Sequence, residues 1–181
     1  NVFDPMSGTG STQLGALQIK RNGYGTELSE FFAGIANGRC NEFINPRELS
    51  LFADENEVKN SFLILNKDAR LIIKDDFPEI DYMVTSPPYY NAREYSQWRN
   101  LNEYLDDMRE IINEAYRVLD NHRVFVFNIG DIFDNDNLKT QSVWGSRRIP
   151  LSAYFIKIFE EEGFTYVDDF IWDKEIGRAH V

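Results

Sequence analysis

The chain has 181 residues, of which 43% are hydrophobic and 14% aromatic, enough to bury one core and too apolar for a disordered chain. Its formal net charge of −11 argues against a broad nucleic-acid-binding face, which needs clustered Lys and Arg, and leaves room only for a local basic patch around a cleft. With no run of eighteen apolar residues, one cysteine (Cys40) and two histidines (His122 and His180) without metal-ligand spacing, the reading is a single domain in a reducing cytoplasm with no membrane span, disulfide or metal.

In chain order, Val2 to Asp4 reads as the end of an apolar strand. A helix is predicted from about Ser11 to Arg21, with Leu14, Ala16 and Leu17 inward and Gly23 as its stop. Tyr24 to Leu28 reads as a second strand. Ser29 then caps a helix carrying Phe31, Phe32, Ile35 and Ala36, and Pro46 to Ala53 opens another helix. Ala69–Lys74 and Ile80–Thr85 read as strands from their β-branched and aromatic content. From Asn100 to Leu119 apolar residues recur at three- and four-residue steps, which predicts a long helix. Arg123–Ile129 reads as a strand buried on both faces, Asp134–Ser146 as a polar loop, Ile149–Glu162 as a helix and Phe164–Trp172 as a last strand. Alternating strands and helices imply an α/β fold with a mostly parallel sheet, helices on both faces, and ligands beyond the carboxyl ends of the strands.

Two motifs fall at such ends. The first is Asp4–Ser11, DPMSGTGS. Gly8 and Gly10 bring the backbone close to a ligand. Gln13 stands where a dinucleotide fingerprint needs its third glycine, and the Gly-Lys-Ser/Thr of a phosphate-binding P-loop is absent. Glu27, nineteen residues past Gly8, has the spacing at which an acid accepts from ribose hydroxyls. Asp75 or its neighbour Asp76 follows the expected third strand, and Asp75 is the preferred acceptor for an adenine amine. Asp4 and Pro5 put a carboxylate beside the loop, which suits a methionine ammonium and repels a pyrophosphate; the reading is S-adenosylmethionine rather than NAD.

The second motif is Thr85–Tyr90, TSPPYY. Pro87 and Pro88 fix two φ angles and remove two donors, so their carbonyls are rigidly aimed. The Ser86 hydroxyl and the Pro87 carbonyl can accept the two hydrogens of an exocyclic amine and draw its nitrogen toward a tetrahedral shape. Tyr89 would stack on a base that has left the duplex. Beyond it, Arg93, Tyr95, Trp98 and Arg99 mix cations and aromatics, as phosphate contact and base stacking require; an ordinary cap over the site is the competing reading. Asn128 and Asp131 flank Gly130 at the end of the fifth expected strand and can line the same cleft.

Taken together, DPMSGTGS followed by TSPPYY resembles the signature pair of the S-adenosylmethionine-dependent DNA amino-methyltransferases, which modify cytosine N4 or adenine N6. The resemblance implies a Rossmann-like methyltransferase fold of seven strands. It implies cofactor roles for Asp4, Gly8, Gly10 and Glu27, and catalytic roles for Ser86, Pro87, Pro88 and Tyr89. It further implies DNA as partner, with the target base flipped out, and a paired restriction nuclease. Serine before the two prolines is more typical of the cytosine-amine enzymes, so cytosine is preferred over adenine. An RNA guanine amino-methyltransferase and an inactive cofactor-binding fragment are the alternatives. The opening inside a strand and the terminal EIGRAHV, which matches a sequencing-adapter read-through, lead to the expectation of a partial catalytic domain over residues 1–174 and a non-native tail over 175–181.

Overall fold

The computed structural model describes residues 1–45, 60–90, 98–133 and 148–172. Strands β1 (Val2–Asp4), β2 (Gly23–Glu27), β3 (Phe62–Asn66), β4 (Ile80–Thr85) and β5 (Leu119–Phe127) form one sheet in the order β3-β2-β1-β4-β5. Every neighbouring pair in it is parallel. Helices α1 (Ser11–Gln18) and α2 (Glu30–Ile44) carry the chain outward from β1 to β3. The chain then returns to β4 on the other side of β1, and α3 (Leu101–Val118) leads on to β5. The order therefore reverses between β1 and β4, the place where such sheets open a ligand crevice. A short antiparallel ribbon, β6 (Ile132–Phe133) with β7 (Arg148–Ile149), precedes α4 (Leu151–Glu161).

The period-two pleat assigns the faces. Leu17, Ala36, Cys40 and Ile64 pack α1 and α2 on one face. Phe3, Tyr24, Met83, Ala115 and Val118 pack α3 on the other. The α3 stripe predicted from its periodicity is the buried one: Tyr104, Leu105, Met108, Ile111, Ile112 and Ala115 all face inward. Asn100 caps this helix by accepting from the Glu103 backbone N–H at 3.0 Å. Phe155 and Ile158 of α4 close the same core.

Several expectations give way. Helix α1 ends at Gln18, without a glycine: Lys20 takes φ +56°, while the Lys20 and Arg21 N–H groups bond back to the Leu17 and Ala16 carbonyls, a Schellman closure. Gly23 belongs instead to β2. In α2 the buried stripe is Ala33, Ala36 and Cys40, and Phe31 is exposed. Ala69–Lys74 is not a strand. Asp68 accepts from the Arg70 N–H at 2.9 Å and turns the chain into a 3-10 turn, so the third strand is Phe62–Asn66. β5 is an edge strand among the described residues, with Val124 exposed rather than buried on both faces. Phe164–Trp172 has no ladder partner among them and forms no strand, leaving Val167, Phe170 and Ile171 exposed. Five strands and a separate ribbon are described in place of seven in one sheet. The Pro46–Ala53 helix, the Asp134–Ser146 loop and the 175–181 tail lie outside the described residues.

Candidate active site

The glycine loop and the twin-proline turn leave the sheet side by side, because β1 and β4 are parallel neighbours. A direct bond ties them: the Thr85 hydroxyl donates to Asp4 Oδ1 at 2.6 Å, across 81 residues of sequence. The Thr12 hydroxyl donates to Oδ2 at 2.7 Å and the Met6 N–H to Oδ1 at 3.0 Å. Asp4 is only 4% exposed. Its burial raises its pKa above the ordinary carboxylate value, the Thr85, Thr12 and Met6 bonds oppose that rise, and the nearby Glu27 charge adds to it. The Asp4 carboxylate, expected beside a ligand's ammonium, is turned inward and holds the two loops together.

The rest of the loop is pinned from beneath. Thr26 donates its hydroxyl to the Pro5 carbonyl at 2.6 Å, and its own carbonyl accepts from the Ser7 N–H at 2.9 Å. Gln13 Nε2 donates to Ser7 Oγ and to the Tyr24 carbonyl, both at 2.8 Å. Gly8 and Gly10 adopt φ +53° and +78°. Their surroundings differ: a Cβ on Gly10 would stand 2.8 Å from Ala36 Cβ, whereas one on Gly8 would meet nothing within 4 Å. Gly10 is a packing glycine, and Gly8 faces open space over the cleft.

Glu27 ends β2 beside that space. Its Oε2 accepts from the Gly8 N–H at 2.8 Å and its Oε1 from the Ser29 N–H at 2.9 Å. A carboxylate has about four acceptor sites, so each oxygen keeps one, the number a vicinal diol requires. Asp75 is not brought here. It lies within a second 3-10 turn, Lys74–Asp76, and lines a cleft with Glu79 and Ile80, at the amino end of β4, the opposite end of the sheet. The acid that does follow β3 is Asp68, which sequence reading missed because it placed the third strand one segment too late. Arg70 holds the Asp68 carboxyl below its usual pKa.

At the end of β4, Ser86 is exposed and accepts from Asn128 Nδ2 at 3.3 Å, while Pro87 is buried. A Cβ on Gly130 would touch the Tyr89 ring at 3.7 Å, so the turn after β5 backs that tyrosine. Of the expected pair Asn128 and Asp131, Asn128 meets Ser86, and the glycine between them, Gly130, lies against Tyr89. Tyr104, buried beneath, packs against Tyr90 and Trp98 with ring centroids 5.8 and 4.8 Å apart. Burial, with the Tyr89 charge second, raises its phenol pKa. Trp98 lies in this aromatic cluster and donates Nε1–H to Asp107 Oδ2 at 2.8 Å. The Arg99 guanidinium is paired with Glu103 at 2.9 Å. Arg93 and Tyr95 lie outside the described residues. The bonding roles of Thr12, Thr85 and Gln13 were also missed; their one sequence signal was a place in or beside the two motifs.

Parallel strands in this order, a glycine loop after β1, an acid ending β2 and a cleft at the β1/β4 reversal define the Rossmann-like methyltransferase class. Solved structures bear out the fold. Magnesium protoporphyrin IX methyltransferase (ChlM) from Synechocystis PCC 6803 with bound SAH aligns at TM-score 0.58 and 14% identity, over 92% of this chain and 64% of that one. The cyclopropane synthase MmaA2 from Mycobacterium tuberculosis aligns at 0.54 and 14%, over 91% of this chain and 54% of that one. Residues 80–180 match the N6/N4 methyltransferase family, described as DNA methylase, and the chain belongs to that family. It is 45% identical over 141 residues to the type II beta methyltransferase M.BslI of Bacillus sp. strain NEB-606, covering 72% of this chain. It is 32% identical over 104 residues to the type II methyltransferase M.BglII of Bacillus subtilis, covering 56% of this chain. The chain spans 16% of the first relative's length and 26% of the second's in these matches.

Proposed function

We propose that this chain carries the catalytic centre of a type II DNA amino-methyltransferase that methylates the exocyclic amine of cytosine, in preference to adenine, in duplex DNA. The observation that carries the reading is the Asp4–Thr85 bond, which opens the glycine loop and the SPPY turn onto one cleft. S-adenosylmethionine, when bound, supplies an electrophilic methyl group on its sulfonium. The residues present fit that cofactor: Gly8 leaves open space over the loop, Glu27 keeps an acceptor site on each oxygen for a ribose diol, and Asp68 stands past the next strand for an adenine amine.

The chain's own part in the reaction is positioning and charge placement. Ser86 Oγ accepts one hydrogen from Asn128, which leaves its second lone pair for one hydrogen of the target amine. The Pro87 carbonyl, fixed by the proline ring that follows, accepts the other. Pulling both hydrogens out of the base plane weakens conjugation and exposes the nitrogen lone pair. Tyr89, backed by Gly130, is placed to stack on the flipped base. Serine at position 86 supports cytosine, and the 45% likeness to a type II methyltransferase supports the type II assignment. A paired nuclease and a cytoplasmic setting follow from the same reading.

The test has two arms. Calorimetry with S-adenosylhomocysteine measures the cofactor site, and radiolabelled methyl transfer to duplex DNA, followed by nucleoside analysis, names the base. N4-methylcytosine is the expected product. N6-methyladenine would replace the cytosine assignment, transfer to structured RNA alone would replace the DNA assignment, and binding without transfer would reduce the chain to a cofactor module.

A further inference from the structure

One side-chain network is used by neither motif and reaches both ends of the cleft. Asp107, on α3, divides its carboxylate: Oδ1 accepts from Arg70 Nη1 at 3.1 Å and Oδ2 from Trp98 Nε1 at 2.8 Å. Arg70 in turn clasps Asp68, with Nη2 to Oδ2 at 2.7 Å and Nε to both oxygens at 3.1 and 3.2 Å. Asp68 is the second residue past β3. On the other side, Trp98 meets Tyr104 edge-on, and Tyr104 meets Tyr90, the last residue of the SPPYY run. Asp107 thus joins the acid at the adenine end to the ring cluster beneath the clamp.

We infer that Asp107 is a positioning residue that couples cofactor binding at Asp68 to the aromatic support of the base clamp. This rests on the cofactor reading above. Asp68 spends most of its acceptor sites on Arg70, so an amine arriving at Asp68 must share them and loosen the Arg70 clasp. The guanidinium has five N–H groups in a fixed fork, and the second carboxylate it touches is Asp107. Tightening onto Asp107 Oδ1 alters the same carboxylate that orients Trp98. The coupling is reciprocal: what the clamp holds changes how tightly the cofactor is held.

The probe is S-adenosylhomocysteine, read by calorimetry and by tryptophan emission in the full chain with Trp144 and Trp172 replaced by Phe. Emission from Trp98 is expected to shift on binding. Asp107→Asn keeps the shape and removes the charge; it is expected to abolish that shift and weaken binding about fivefold or more. Trp98→Phe keeps a ring on Tyr104 and loses the N–H, so it is expected to weaken binding in the same direction, and it decides the matter if the melting curve of Asp107→Asn shows a misfolded chain. Asp107→Glu is expected to recover part of the affinity. Parent-like binding in both Asp107→Asn and Trp98→Phe overturns the coupling alone. No binding by the parent chain overturns the cofactor reading and takes the coupling with it.

Discussion

Thr85→Val is the sharpest perturbation of the junction between the two loops. It removes the hydroxyl that donates to Asp4 Oδ1 at 2.6 Å and leaves that oxygen with the Met6 N–H at 3.0 Å. A hydrogen bond to a charged group contributes about 1.5–3 kcal/mol net, and one between neutral groups about 1 kcal/mol. With Asp4 ionised, Thr85→Val is therefore expected to cost about 2 kcal/mol, a fall in Tm of roughly 4–8 °C for a domain of this size. In an Asp4→Asn background the same substitution is expected to cost about 1 kcal/mol, because the acceptor is neutral. The pH dependence has a definite sign. Burial raises the folded-state pKa of Asp4 above the 3.8 of an unperturbed aspartate, so the folded chain binds the proton more tightly than the unfolded chain. The stability from this group is greatest in acid and falls as pH rises from the unfolded value through the folded one. Thr85→Val removes a bond that lowers this pKa, so the fall extends to higher pH; Asp4→Asn abolishes it. Urea unfolding of the four chains across pH, taken as differences between variants, makes the measurement. Differences cancel the opposite trend of Asp68, Asp81 and Glu162, whose depressed pKa values cause stability to be lost as pH falls. An equal cost of Thr85→Val in both backgrounds, at every pH, refutes the junction.

The two loop glycines are expected to separate stability from binding. Gly8→Ala, with open space around it and φ +53°, should cost only about 1–2 kcal/mol in thermal unfolding yet abolish S-adenosylhomocysteine binding by calorimetry. Gly10→Ala, which presses on Ala36, should cost roughly 3 kcal/mol or more in the same melt. Glu27→Gln replaces an acceptor by a donor facing the Gly8 or Ser29 N–H and should lower cofactor affinity about tenfold; unaltered affinity removes the ribose role. Tyr89→Ala should leave cofactor affinity intact and slow methyl transfer by about 5- to 150-fold, the worth of one stacked base, with Tyr89→Phe close to the parent.

Both signature motifs were legible because their chemistry is local. A glycine bend and a twin-proline bend announce themselves in a few residues, and strand–helix alternation places them at strand ends. The long α3 was legible for the same reason, its apolar stripe recurring over eighteen residues. What sequence could not provide were the partners. Nothing local to Asp4 says that Thr85, 81 residues away, donates to one of its oxygens. FLILN and ARLIIK are both apolar and β-branched, and only the Asp68 side chain, by capping a tight turn, decides between them. That choice placed the acid after the third strand at Asp75 rather than Asp68. Phe164–Trp172 has the composition of a strand, but a strand exists by pairing, and this segment pairs with no described strand, not even at the open edge of β5.

Gln13 occupies the helix position where dinucleotide-binding loops keep a glycine so that helix and strand can approach closely. Here the vacancy has crossed to the facing strand. A Cβ on Gly23 would lie 2.8 Å from Gln13 Cα, and one on Gly25 would collide with Ser7 Oγ at 2.1 Å and Gln13 Nε2 at 2.3 Å. β2 thus provides a bare notch into which the glutamine amide folds, and the amide fills it with polar links that a hydrogen atom in its place cannot make. The same intimacy between layers is reached by the opposite division of bulk, so a pattern that looks for small residues on the helix alone passes over a loop built to the same closeness.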